Sequence, residues 1–195
     1  VWPAAADTPA RLERYVALLS RWSARINLVG RGDLEAIRQR HIADCLQLVP
    51  LMPAGAKRVV DLGAGAGLPG LVVAIATGAH VHLVERDQRK AAFLREAVGQ
   101  LAAPATVHSA DYQALVPLAA DVVLSRATAP LVSLLDAARR HGRNGVVMLF
   151  HKSSNQGAEI DAARARFHFA IQRMPSRSDP RGEVWRVQGL AVRGR

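Results

Sequence analysis

The sequence predicts an α/β fold built on a mostly parallel seven-stranded sheet, with a C-terminal antiparallel hairpin and an N-terminal helical cap. Three observations predict it. From Arg58 onward, short β-rich runs alternate with helical segments, the pattern of successive βαβ units. The first run feeds a glycine-rich turn, Gly63-Ala-Gly-Ala-Gly-Leu-Pro-Gly70, that opens a helix. The last two runs are separated only by the turn-like stretch Pro175–Gly182, which leaves no room for a crossover helix, so they pair antiparallel.

The elements follow in chain order. Asp7 or Thr8 caps a first helix with Pro9 in its first turn, and Leu12, Tyr15, Val16, Leu19 and Trp22 recur at helical spacing. Asp33 starts a second helix that keeps Leu34, Ile37, His41, Cys45 and Leu48 on one stripe, after the polar connection Asn27–Asp33. Residues 1–55 therefore read as a helical cap, which leads through Pro50–Gly55 into a core over 56–195, all one integrated domain. Strands are expected at Arg58–Leu62, His80–Glu85, Ala105–His108, Asp121–Ser125, Gly145–His151, Phe167–Met174 and Glu183–Leu190. Helices are expected at Leu68–Thr77, Asp87–Leu101, Pro130–His141 and Asn155–Arg166, with a shorter piece at Tyr112–Val116.

A chain of 195 residues, half of them hydrophobic, is long enough to bury one sizeable core. Its net charge of +10 is spread along the chain, +2 over residues 1–45, +3 over 46–151 and +5 over 152–195. Such a balance suits a polyanion such as nucleic acid, because Lys and Arg neutralise phosphates whatever the sequence; an arginine-rich composition with no such partner is the competing explanation. Arg11, Arg14, Arg21, Arg25, Arg164 and Arg166 are candidates to track phosphates, although arginines scattered on helices also serve as solvated faces. Cys45 is the only cysteine, which excludes an intrachain disulfide framework and a multi-cysteine zinc site and suits a reducing cytoplasm. No apolar run approaches the roughly 18 residues of a membrane span, so a soluble protein with no membrane partner and no metal is expected.

The glycine turn fits a nucleotide-containing cofactor, and two frames compete: Gly63-x-Gly65-x-Gly67, and Gly65-x-Gly67-x-x-Gly70, which formally spells a dinucleotide site. Asp61 at the strand end would repel a pyrophosphate there. It would favour the ammonium or sulfonium of S-adenosylmethionine, or it simply braces the loop. Glu85 ends the next strand, where an acid accepts from ribose hydroxyls in either cofactor class. Asp111 follows the third strand and meets the adenine edge or caps a turn, and Ser125-Arg126 follows the fourth.

These pieces, with Asn27-Leu28, Arg40-His41-Ile42-x-Asp44, Asp61 to Gly70, Lys90, Phe93-Leu94-Arg95, Ser125-Arg126-Ala127 and Lys152, carry a likeness across residues 12–190. The chain resembles the glucose-inhibited division protein B family, the small-subunit ribosomal RNA methyltransferase G enzymes. The resemblance implies a class I S-adenosylmethionine-dependent methyltransferase fold, Rossmann-like, and methylation of guanine N7 in bacterial 16S ribosomal RNA. It implies that Gly63, Leu68, Ala110, Asp111 and Arg126 line the S-adenosylmethionine site; analogy with related methyltransferases adds Asp61, Gly65 and Glu85. The chain departs from the family at Cys45, where serine is usual, and at Ser153, where glycine is common.

Guanine N7 is already unprotonated, so the reaction needs alignment and desolvation rather than a general base. Arg126, His41 and Lys152 are then candidates for positioning RNA or the transition state, and Arg40, His41 and Lys152 for RNA contact. His41 on an apolar stripe is at least as well explained by packing, and Arg40 with Asp44, four residues apart, by a helical ion pair. An A-form duplex hides N7 in its deep groove, so the target is expected in a loop or distorted segment of the small subunit or its precursor, met by a monomer. The readings left standing beside this one are a small-molecule methyltransferase, an NAD(P)-dependent oxidoreductase and a non-catalytic RNA-binding module.

Overall fold

Alternation of side chains along the strands decides which layer covers each face of the sheet. In the computed structural model, which describes residues 7–29, 41–126, 129–153 and 156–194, the strands are β1 (Arg58–Leu62), β2 (His80–Val84), β3 (Ala105–His108), β4 (Ala120–Ser125), β5 (Gly142–Ser153), β6 (Phe167–Pro175) and β7 (Gly182–Val192). They form one sheet in the order β3-β2-β1-β4-β5-β7-β6. The first five strands pair in parallel, while β5 with β7 and β6 with β7 are antiparallel, as the short Pro175–Gly182 connection requires. The helices are α1 (Thr8–Ser23), α2 (Ala43–Leu46), α3 (Gly70–Thr77), α4 (Gln88–Gln100), α5 (Leu131–His141) and α6 (Gly157–Arg164).

Val59, Val81, Leu83, Val122 and Leu124 point to one face and pack with Tyr15 and Leu19 of α1, Cys45 of α2, Leu71 and Ile75 of α3 and Phe93 of α4. Val60, Leu62, Val84, Val123, Met148 and Phe150 point to the other face, against Leu131 and Leu135 of α5 and Ile160 of α6. Every residue of α3 is buried, as its continuous apolar sequence demands. α1 therefore packs directly on the core, with Arg11 donating to the Leu101 and Ala102 carbonyls (3.0 and 2.9 Å) and Arg14 to that of Gln100 at the end of α4. These two arginines spend part of their N–H groups on the carbonyls at the end of α4.

Every expected strand is present, with β5 and β7 longer than periodicity alone implied. Asp87 caps α4, its carboxylate accepting from the Arg89 and Lys90 amides. The short helix expected at Tyr112–Val116 is only a turn: Asp111 Oδ1 accepts from the Gln113 amide at 2.8 Å, and Pro117 follows too soon for the chain to continue helically. The helix start expected at Asp33, with Leu34, Ile37 and Arg40, lies outside the described residues, as do Ala127 and Asn155.

Candidate active site

The parallel strands β1 and β4 are adjacent, yet their following connections leave to opposite faces, and the crevice this creates at the carboxyl ends of the strands is where ligands bind in such sheets. Asp61 lies here, fully buried near the end of β1. Its Oδ2 accepts the Gly70 amide of α3 at 2.8 Å, and its Oδ1 has no partner among the described residues. A Cβ at position 70 would lie 2.6 Å from Asp61 Oδ2, so only glycine permits this approach. Burial pushes the Asp61 carboxyl up to about 7; the Gly70 hydrogen bond opposes that rise and the nearby Glu85 charge adds to it.

The loop between β1 and α3 turns through Gly63, Gly65 and Gly67, all at positive φ. Three contacts hold it. The Gly63 and Ala64 amides donate to the Val84 carbonyl at 3.0 and 2.9 Å. Glu85 Oε2 accepts the Gly65 amide and Oε1 the Asp87 amide, both at 2.8 Å, which ties the glycine loop to the start of α4. Tyr15 of α1 donates its hydroxyl to the Ala66 carbonyl at 2.5 Å. Leu68 is buried under the loop, and Ala110 and Asp111 follow β3 nearby in the sheet order, with Asp111 exposed.

Beyond β4 the chain builds a cleft of about 470 Å³ whose walls include His41, Asp44, Arg126, His151, Ser176 and Glu183. Arg126 is its central cation. Its Nη2 donates to His41 Nδ1 at 2.7 Å, and the guanidinium also hydrogen-bonds the Cys45 side chain, while Nη1 is buried without a partner among the described residues. Accepting from Arg126 makes His41 Nδ1 a lone-pair site, so His41 positions the guanidinium instead of standing ready as a base. Burial raises the Cys45 thiol well above its ordinary range, so Cys45 is no thiolate nucleophile.

Lys152 departs from expectation. Its side chain is 1% exposed, and its Nζ donates to the Ala129 carbonyl at 2.8 Å and to Glu159 at 2.7 Å, with the Trp185 ring beneath it. An ammonium engaged in this way braces the α6 start and is not free for RNA phosphate. Arg40, expected to touch RNA, lies outside the described residues. The structure thus gathers Asp61, Gly63, Gly65, Leu68 and Glu85 at one loop and places His41 on Arg126 beside it. Sequence reasoning missed Tyr15 as the loop's anchor and His151 with Asp44 and Ser176 in the cleft.

The model of the family described as GidB, rRNA small subunit methyltransferase G, matches residues 8–179. The chain belongs to the GidB family. Among curated relatives, a ribosomal RNA small subunit methyltransferase G from Rhodospirillum centenum is 45% identical over 96% of this chain and 87% of its own length. The same-named protein of Granulibacter bethesdensis is 44% identical over 95% and 87%. An O-methyltransferase from Bacillus cereus, solved in complex with SAH, superposes with a TM-score of 0.60 at 14% identity, covering 90% of each chain, and supports the class I methyltransferase fold. With the family go the enzyme class and the cofactor, a methyltransferase dependent on S-adenosylmethionine.

The GidB site fits that cofactor. It offers a buried carboxylate oxygen without a partner among the described residues for an ammonium, a buried guanidinium N–H for a carboxylate, and a loop whose Gly63, Gly65 and Gly67 leave the backbone open to approach. A dinucleotide fits worse, because Asp61 occupies the start of α3 where a pyrophosphate would have to sit.

Proposed function

We propose that this GidB-family protein methylates N7 of a guanine in 16S ribosomal RNA, acting as a monomer in the cytoplasm on the small subunit or its precursor. The observation that carries the reading is a pair of buried atoms without a partner among the described residues, Asp61 Oδ1 and Arg126 Nη1, near the glycine loop and a cleft large enough for a base. Asp61 would hold the cofactor's ammonium, Arg126 its carboxylate, and the remaining lone pairs of Glu85 its ribose hydroxyls, with Ala110 and Asp111 toward the adenine. When bound, S-adenosylmethionine supplies a methyl group on a positively charged sulfur.

The chain's own work is positioning. N7 needs no base, and two of the titratable side chains in the cleft are tied to neighbours: His41 to Arg126, and Lys152 to Glu159. The glycine loop and the cleft hold the two reactants in line, and the net charge of +10 favours a polyanionic substrate. The test is transfer of labelled methyl to small ribosomal subunits that lack the modification, followed by mapping of the modified base. Label at guanine N7 of 16S RNA is expected; label on an adenine, or none on RNA, overturns the reading.

A further inference from the structure

The cleft contains an acceptor that the cofactor reading does not use. His151 sits near the end of β5, opposite Val184 of β7, and its Nε2 lies 3.2 Å from the Asp44 carbonyl oxygen and 3.3 Å from Asp44 Oδ2. A carbonyl oxygen can only accept, so Nε2 carries the proton and Nδ1 is left as a bare lone pair. The Asp44 carboxylate cannot swing away, because its Oδ1 accepts the Ser176 hydroxyl at 2.6 Å, from the turn before β7. Burial holds the ring's pKa below the ordinary histidine value; Asp44 pulls against this and the Arg126 charge adds to it, so the ring is neutral.

Nδ1 is therefore fixed in direction and tautomer, buried, and without a partner among the described residues, on a side chain that lines the cleft. Leaving such an acceptor buried and unsatisfied is costly. We propose that His151 Nδ1 accepts a hydrogen bond from the Watson–Crick edge of the target guanine, N1–H or the 2-amino group, and so determines which base is methylated. The inference rests on the guanine N7 reading above.

The chemistry of the base supports the pairing. N7 and the N1–H and 2-amino donors lie on different edges of guanine, so a base that turns N7 to the glycine loop turns its donors away from it. β5 lies two strands from β1, roughly 10 Å at ordinary strand spacing, which leaves room for a purine between the loop and His151. Adenine would bring its own bare N1 against the lone pair of Nδ1 and has no 2-amino group. A buried site that meets the wrong polarity rejects its ligand far more strongly than one that merely misshapes it. Because Nδ1 is covered, the edge of the base must press into the cleft wall beside His151 to reach it.

The test compares His151→Phe and His151→Asn on unmodified small subunits, and the wild-type protein on subunits reconstituted with inosine or 1-methylguanosine at the target. His151→Phe is expected to lower kcat/KM roughly 10- to 100-fold, with the affinity for S-adenosylmethionine unchanged. His151→Asn, which can return an acceptor near the place of Nδ1, recovers most of the loss. One of the two base analogues should cost the wild-type protein a similar factor and cost His151→Phe nothing further. A His151→Phe protein with wild-type kcat/KM, or one that loses the same factor on every analogue, overturns the inference. If His151→Phe does not fold, the analogues decide alone, and neither of them costing tenfold sinks it. A wild-type protein that never methylates guanine N7 overturns the underlying reading instead.

Discussion

The two ends of the sheet offer a natural contrast. At the amino ends of the strands, Lys57, Arg58, His80, His82, Asp121 and Arg143 surround a cleft of about 630 Å³, larger than the 470 Å³ cleft at the carboxyl ends. Both are charged, yet their polar groups are in opposite conditions. Asp121 Oδ2 accepts the Lys57 and Arg58 amides, its Oδ1 pairs with Arg143 at 2.5 Å, and His82 is bonded to His108 at 3.0 Å. Of the five buried side-chain atoms without a partner among the described residues, none lines that larger cleft, whereas Asp61 Oδ1, Arg126 Nη1 and His151 Nδ1 all belong to the carboxyl end. Unspent hydrogen-bonding capacity is concentrated at the carboxyl end, which holds three of these atoms, while the amino end has one, His141 Nδ1 just before β5.

The sharpest way to break the contrast is Arg126→Ala. It removes a guanidinium whose Nη1 has no partner among the described residues, together with its hydrogen bonds to His41 and Cys45, so affinity for S-adenosylmethionine in a calorimetric titration should fall about 100-fold, since a charged hydrogen bond is worth about 1.5–3 kcal/mol. Binding as tight as wild type would remove the carboxyl end's special status.

Asp61→Asn comes next, with an expected loss of about tenfold in cofactor affinity. It also has a pH signature. The folded-state pKa of Asp61 is raised from about 3.8 to about 7, so the cofactor-free protein binds an extra proton in that window. Its stability should therefore be highest below about pH 4 with respect to this group and decline as pH rises to about 7, while cofactor affinity climbs over the upper part of that range. Denaturant titrations and cofactor titrations across this window check both slopes, and Asp61→Asn should flatten both.

The smallest effect belongs to the other end of the sheet. Arg143→Ala removes a pair whose arginine is 64% exposed, so stability should change by at most about 1 kcal/mol and methyl transfer should not change. A tenfold loss of activity there would give the amino-end cleft a function that its saturated contacts do not suggest.

How far this could be read beforehand differs between framework and site. β1 and β4 were legible because each is a short apolar run, and α3 because it is apolar throughout. Asp61 and Glu85 were legible too, since strand ends beside a glycine turn are identifiable positions. Tyr15 was not, because a tyrosine in an apolar helical stripe has the same local pattern whether it fills the core or holds a loop 51 residues away. Asp44, His151 and Ser176 meet across 107 and 132 residues, and no local spacing announces contacts of that range. The ties of Lys152 to Glu159, Ala129 and Trp185 are equally invisible in local spacing.

The order β4-β5-β7-β6 has a consequence for biosynthesis. β5 supplies a wall of the cleft, but one of its edges is covered only by β7, residues Gly182–Val192, and the turn before β7 delivers Ser176 to Asp44. A ribosome releases a chain from its N-terminus, so the glycine loop can settle early while the cleft stays open until the last strand of the sheet has emerged. A protein whose family is named for modifying ribosomal RNA thus completes its substrate side only after β7 has been made.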